Sequence, residues 1–143
     1  METKVEIVYK PDRSTERRQS IFMATVPAGF PSPAADYEEG KLDLNRHLIR
    51  NPAATFFVRV TGDSMVKAGI HNGDLLVVDR SIEPRDKNVV IAVVNGELTV
   101  KRIRIRKNGL TLEAENEAYQ SQEINDEIEF EVWGVVTNVI HAL

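Results

Sequence analysis

The sequence predicts a mostly β domain with one short helix and an extended N-terminal arm. Three observations predict it. From residue 56 onward the chain is a succession of short runs rich in Val, Ile and aromatic residues, the types that pack well on a pleated surface. The pairs Asn72-Gly73, Asn95-Gly96 and Asn108-Gly109 punctuate those runs, and such pairs accept the positive φ of tight hairpins. Residues 1–28, by contrast, are polar and aperiodic. Asp12 to Arg18 alone hold five charged residues. Such a composition buries little and reads as an extended or mobile arm.

Taken in order, the elements follow from local chemistry. After the arm, Pro31 and Pro33 disfavour helix for the residues before them and set an extended path from Phe30 to Tyr37. Asp43 is placed to cap a short helix over Leu44–Arg50, which Asn51-Pro52 would stop. Strands are expected at Phe56–Thr61, Asp74–Asp79, Val89–Asn95, Glu97–Ile105, Leu110–Glu115 and Ile128–Ile140. At 143 residues one compact domain is the natural unit.

Composition removes whole classes of function. The chain has no cysteine, so disulfides, thiolate zinc sites and cysteine nucleophiles are excluded. A net charge of −4 argues against a surface that binds nucleic acid or membrane as a whole. No apolar run approaches the roughly 18 residues of a membrane span. Ile21–Val26 follows Arg17 and Arg18 as a leader would, but it is too short, and the arm before it is acidic as well as basic. A cytoplasmic protein is expected. No phosphate loop, metal-ligand cluster or dinucleotide fingerprint is present, so no cofactor is expected.

Two stretches carry chemistry. Thr61-Gly62-Asp63-Ser64-Met65 follows a strand directly, and a serine at a strand-to-turn junction beside glycine is where an exposed nucleophile would sit. Gly, Asp and Ser are also ordinary turn formers, so spacing alone leaves a surface turn as the plainer reading. In Glu97–Arg106, alternation puts Lys101 on one face with Ile103 and Ile105, and Arg102, Arg104 and Arg106 on the other. A serine hydroxyl needs a base, and His47, His71 and His141 have no triad spacing. A lysine can serve if it is neutral, yet in water only about 0.04% is neutral at pH 7. Burial among apolar neighbours favours the neutral form, and Lys101 has such neighbours in sequence. The arginines read as a solvated face rather than a nucleic-acid groove.

These residues resemble the self-cleaving LexA/UmuD group of serine peptidases. The carriers are AGFPSPAADY (28–37), LDLNRHLI (42–49), VTGDSMVKAGIHNGDLLVVDR (60–80), GELTVKRI (96–103) and VWGVV (132–136), in that order, with 101 − 64 = 37 residues from serine to lysine. The resemblance implies a compact peptidase domain of curved, mixed sheets. It implies that Ser64 is the nucleophile, Lys101 its general base, and Ala28–Gly29 the bond cut, separating an arm of residues 1–28 from a domain of residues 29–143. Backbone N–H groups of Asp63 and Ser64 are the candidates for oxyanion stabilisation. Pro27 departs from the pattern by removing a backbone donor next to the scissile bond. The repressors of the group carry a helix-turn-helix before the cleavage site. Residues 1–28 are too few for one, so sequence-specific DNA binding is not expected. The implied partners are a second copy of the chain, a RecA filament on single-stranded DNA as activator, and a UmuC-like Y-family polymerase in translesion synthesis. The alternative is a binding module of the same fold with an unused dyad.

Overall fold

The computed structural model describes residues 1–12, 18–22 and 38–143. In chain order its strands begin with β1 (Lys4–Tyr9), β2 (Arg18–Phe22) and β3 (Glu38–Asp43), followed by helix α1 (Leu44–Leu48). Then come β4 (Thr55–Thr61), β5 (Leu75–Asp79), β6 (Val89–Val94), β7 (Glu97–Arg106), β8 (Gly109–Glu113), β9 (Gln122–Ile124) and β10 (Phe130–Ile140). Two units result: Asp12–Arg50, and Met1–Pro11 together with Asn51–Leu143. The extended path expected for Phe30–Tyr37 lies outside the described residues.

The smaller unit pairs β2 with β3, Arg18 facing Asp43 and Ser20 facing Lys41. The Asp43 carboxylate caps α1 as its position predicts, accepting from the N–H groups of Asn45 (3.1 Å) and Arg46 (3.4 Å). The helix is two residues shorter than expected. Ile49 is already extended, with φ −109° and ψ 95°.

The larger unit is one sheet in the order β1-β4-β5-β10-β6-β7-β8-β9. Its first strand also meets β7, through Lys4 opposite Thr99, so the sheet curls into a barrel-like form. Every described pairing is antiparallel, where mixed sheets are expected from the resemblance. For β6–β7 and β7–β8 the short Asn95-Gly96 and Asn108-Gly109 turns permit only an antiparallel neighbour, because a parallel one needs a long crossover. Curvature comes from register shifts, two of them in β10 between Val132 and Gly134 and between Val136 and Asn138. Gly134 is required there, because a Cβ would stand 2.6 Å from Val78 Cγ1.

Burial explains why these runs are strands. In β6 three successive residues, Val90, Ile91 and Ala92, are fully buried. Ile91 belongs to a core with Val58, Val60, Met65, Ile70, Leu76, Val78 and Val100. Val90 and Ala92 face a second core with Ile103, Leu112 and Val135. A strand covered on both faces reads as a continuous apolar run rather than an alternation. Each buried Val, Leu, Ile or Met among them contributes about 1.5–3 kcal/mol on burial.

The arm's first residues are extended, as expected, but they bury more than their composition suggests: β1 is a full member of the main sheet, and Thr3 is fully buried. The polar composition misleads because β1 docks mainly through its backbone, with Val8 opposite Val58 and Tyr9 opposite Phe57.

Candidate active site

Ser64 lies just beyond the end of β4, in a turn fixed from several sides. Gly62 has φ +103°, a left-handed angle that favours glycine, and its N–H donates to Asn72 Oδ1 (3.0 Å). The Asp63 carbonyl accepts from Asn116 Nδ2 (2.9 Å), and the Ser64 carbonyl accepts from the Glu115 N–H (2.8 Å). The Tyr119 hydroxyl donates to Asp63 Oδ1 (2.6 Å). Met65, fully buried, anchors the turn in the core. The bond from Tyr119 holds the Asp63 carboxyl below its ordinary range, helped by the amino group of Met1. The same bond pushes the Tyr119 hydroxyl up to about 12. A serine carried on a short turn thus acquires a fixed position.

Lys101 comes from the middle of β7, opposite Val90 and on the face it shares with Ile103. Only 4% of it is exposed, which agrees with its predicted apolar setting. Ile105, expected on the same buried face, is instead 43% exposed, because β7 runs past the core at that end. Lys101 Nζ stands 6.0 Å from the centre of the Tyr119 ring. The same tyrosine therefore touches the serine's turn and faces the lysine.

The two residues converge on one dipeptide of the arm. The Thr3 N–H donates to Ser64 Oγ (2.7 Å), and Lys101 Nζ donates to Glu2 Oε1 (3.0 Å). The strand that brings them runs between β4 and β7. Asp63 N–H donates to the Met1 carbonyl (2.8 Å), while the Thr3 carbonyl accepts from Val100 N–H (3.1 Å) and Thr99 Oγ1 (3.0 Å). Gly62 makes the approach possible, since a Cβ there would lie 2.2 Å from the Glu2 carbonyl oxygen.

Other sequence candidates resolve into structure. The Asp74 carboxylate accepts from the His71 N–H (2.7 Å) and bonds His141 Nδ1 (2.6 Å), and the two imidazoles lie tilted against one another with centres 4.8 Å apart. Neither ring is bonded to Ser64. Arg102 pairs with Glu115, Arg104 with Asp86 and Glu113, and Arg106 with Glu113, so the arginine face is largely neutralised. Among the described residues no group of three acidic or histidine side chains could hold a metal, and no helix is long and apolar enough to cross a membrane. Ala28, Gly29 and Pro27 lie outside the described residues. Sequence reasoning missed Glu2, Thr3, Asn116 and Tyr119. Asn116 to Tyr119 form a loop with no periodicity to flag them, while Val5, Ile7, Val8 and Tyr9 are strand formers that could have marked β1.

A family model described as Peptidase S24-like matches residues 20–137. The chain belongs to the Peptidase S24-like family. Among curated members, the chain is 50% identical to Protein SamA of Salmonella typhimurium over 121 residues, 85% of this chain and 84% of that protein. It is 37% identical to Protein MucA of Escherichia coli over 137 residues, 94% and 92% of the two chains. It is 30% identical to the LexA repressor of Pasteurella multocida over 138 residues, 95% of this chain and 65% of the repressor. The LexA/UmuD resemblance read from the motifs is therefore upheld. The S24-like match begins at residue 20, so Glu2 and Thr3 stand outside it.

Proposed function

We propose that the protein is a self-processing serine endopeptidase of SOS mutagenesis, with Ser64 as nucleophile and Lys101 as general base, cutting its own chain between Ala28 and Gly29. One observation carries this reading. Ser64 Oγ and Lys101 Nζ both face an extended peptide laid between β4 and β7, the way a substrate strand is presented by strand addition. The Asp63 N–H already binds a carbonyl of that peptide, which supports its assignment with the Ser64 N–H to the oxyanion.

In the reaction, neutral Lys101 Nζ takes the Ser64 Oγ proton as Oγ attacks the Ala28 carbonyl carbon. The negative charge on the carbonyl oxygen is met by the two N–H groups. The C–N bond breaks, the ammonium returns its proton to the Gly29 nitrogen, and Ala28 is left esterified to Ser64. A water, deprotonated by Lys101, attacks the ester, releasing the Ala28 carboxylate and regenerating Ser64. Ala28 suits a small pocket, and Gly29 offers no side chain to obstruct the attack. Residues 29–143, as a dimer, then serve an error-prone Y-family polymerase in translesion synthesis, with a RecA filament on single-stranded DNA prompting the cut. The relatives SamA and MucA support placing the chain in this branch.

The test is intact mass after incubation at about pH 10, where much more of a lysine is neutral. A species beginning at Gly29, absent in Ser64→Ala and Lys101→Ala, is expected. If Ser64→Ala were processed like the parent, the nucleophile assignment would fall. An intact chain even with RecA, ATP and single-stranded DNA added would favour a binding module with an unused dyad.

A further inference from the structure

The peptide lying in the cleft is not the bond to be cut. It is residues 1–5, and its bonds to the dyad are of the wrong kind for reaction. Ser64 Oγ accepts from an amide N–H, that of Thr3, instead of facing a carbonyl carbon. Lys101 Nζ donates to the Glu2 carboxylate, and an ammonium held in an ion pair has no lone pair with which to take the serine's proton. The Met1 carbonyl occupies the Asp63 N–H, an oxyanion donor in the reading above. All three parts of the machinery are engaged at once by three consecutive residues.

We propose, resting on the Ser64–Lys101 reading, that Met1–Val5 is a built-in pseudosubstrate that competes with the Ala28–Gly29 segment for the cleft between β4 and β7. Met1–Thr3 holds the backbone and side-chain partners that a bound substrate would need, so occupancy by one segment excludes the other. The fit of the resident strand is good enough to hold and poor enough to leave. It is held by the ladder to β4, the Thr3 carbonyl bonds to β7, and the pair of Lys4 with Glu97 at the surface. Against these, Thr3 Oγ1 is buried without a hydrogen-bond partner, and a buried hydroxyl left unpaired weakens the docking it takes part in. Glu2 is half exposed, so its ion pair with buried Lys101 is open to competition by water and salt. An activator of scission must then draw β1 off the dyad before the substrate segment can enter. Since the family match begins at residue 20, this device belongs to the part of the chain that the family pattern does not cover.

Two substitutions with opposite signs test it in the full chain. Glu2→Ala removes the clamp on Lys101, and the rate of appearance of the Gly29 species should rise about three- to tenfold at one fixed, mildly alkaline pH. Thr3→Val removes the unpaired hydroxyl, keeps the shape, and should slow scission about two- to threefold by seating the strand more firmly. Labelling of Ser64 by a fluorophosphonate, which needs an open cleft but not the Ala28–Gly29 bond, should change in the same directions. A synthetic peptide of residues 1–9 should slow both readouts in Glu2→Ala. Thermal unfolding of each variant checks that the fold is kept. If the parent cuts itself, Ser64→Ala does not, and Glu2→Ala cuts no faster, the pseudosubstrate is overturned while the dyad stands. Faster labelling with unchanged scission overturns it as well, because the strand would then cover the serine without controlling the reaction. If neither the parent nor any variant cuts or labels, even with RecA, ATP and single-stranded DNA added, the dyad reading fails and the proposal falls with it.

Discussion

β1 and β7 flank the same cleft and are bonded to one another, yet they are held by different physics. β7 buries Thr99, Val100 and Lys101 in succession and then, past part-buried Arg102, Ile103, with apolar neighbours on both faces. On β1 the exposure runs the other way, Ile7, Val8 and Tyr9 each standing about two-fifths exposed, with Thr3 just before the strand as the deeply buried residue. One strand is fixed by the core; the other is attached mainly by backbone ladders and ion pairs, with Val5 alone of its side chains packed against the larger core. The difference teaches that a strand can be fully paired in a sheet while burying little of its own side-chain surface. The pseudosubstrate proposed above is a resident of that second kind beside a wall of the first.

The contrast breaks most visibly through side-chain truncation. Ile91, on β6 and opposite Val100 of β7, is fully buried in the larger core, so Ile91→Ala should cost about 2–5 kcal/mol. Ile7→Ala on β1 removes an exposed side chain and should stay within about 0.5 kcal/mol. Denaturant unfolding of the two variants measures both. Equal losses would mean that β1 is as much a core strand as its neighbours.

A smaller effect sharpens the point at the crossing of arm and turn. Gly62→Ala imposes a left-handed angle on an L residue at about 1–2 kcal/mol. Its methyl would also meet the Glu2 carbonyl carbon at 2.6 Å. The arm is the side that yields if it is attached as argued. Amide hydrogen exchange should then quicken across Val5–Tyr9 while the β6–β7 amides keep their protection. Faster exchange in β7 with a protected β1 would reverse the comparison.

What could be read from the sequence follows the same line. Strands held by burial announced themselves: Leu75–Asp79 and Val89–Val94 were located within a residue or so, because buried strands demand Val and Ile. Lys101 was legible for the same reason, being a cation among apolar strand neighbours. Strands held by backbone pairing left little trace. β3 (Glu38–Asp43) carries Glu, Gly, Lys and Asp, and β9 (Gln122–Ile124) is three residues long. Glu2 and Thr3 act through an ion pair and a main-chain N–H, and neither leaves a pattern in composition. Ser64 was legible as a turn serine, but its three tethers from residues 115–119 come from fifty positions away, beyond any local signal.

The smallest effect concerns those tethers and is read by pH. Tyr119 ionises at about 12 in the folded protein against an ordinary 10.0, because ionising it gives up the bond to Asp63. A raised value means that the tether's contribution is complete below pH 10.0 and is lost as pH rises through about 12. Asp63 has the opposite sign: its depressed value means a contribution present above 3.8 and lost as pH falls through the lower folded value. Across the span between, including the alkaline conditions that favour a neutral lysine, the serine's turn stays tied. Spectrophotometric titration should therefore find a tyrosine ionising near 12, and Tyr119→Phe should abolish that late step. Self-cleavage in the parent should decline over the same interval, whereas Tyr119→Phe, having no tether to lose, should start lower and stay level. A parent whose rate climbs unchecked past the tyrosine's titration would mean that Asn116 and the Glu115 amide hold the serine without Tyr119.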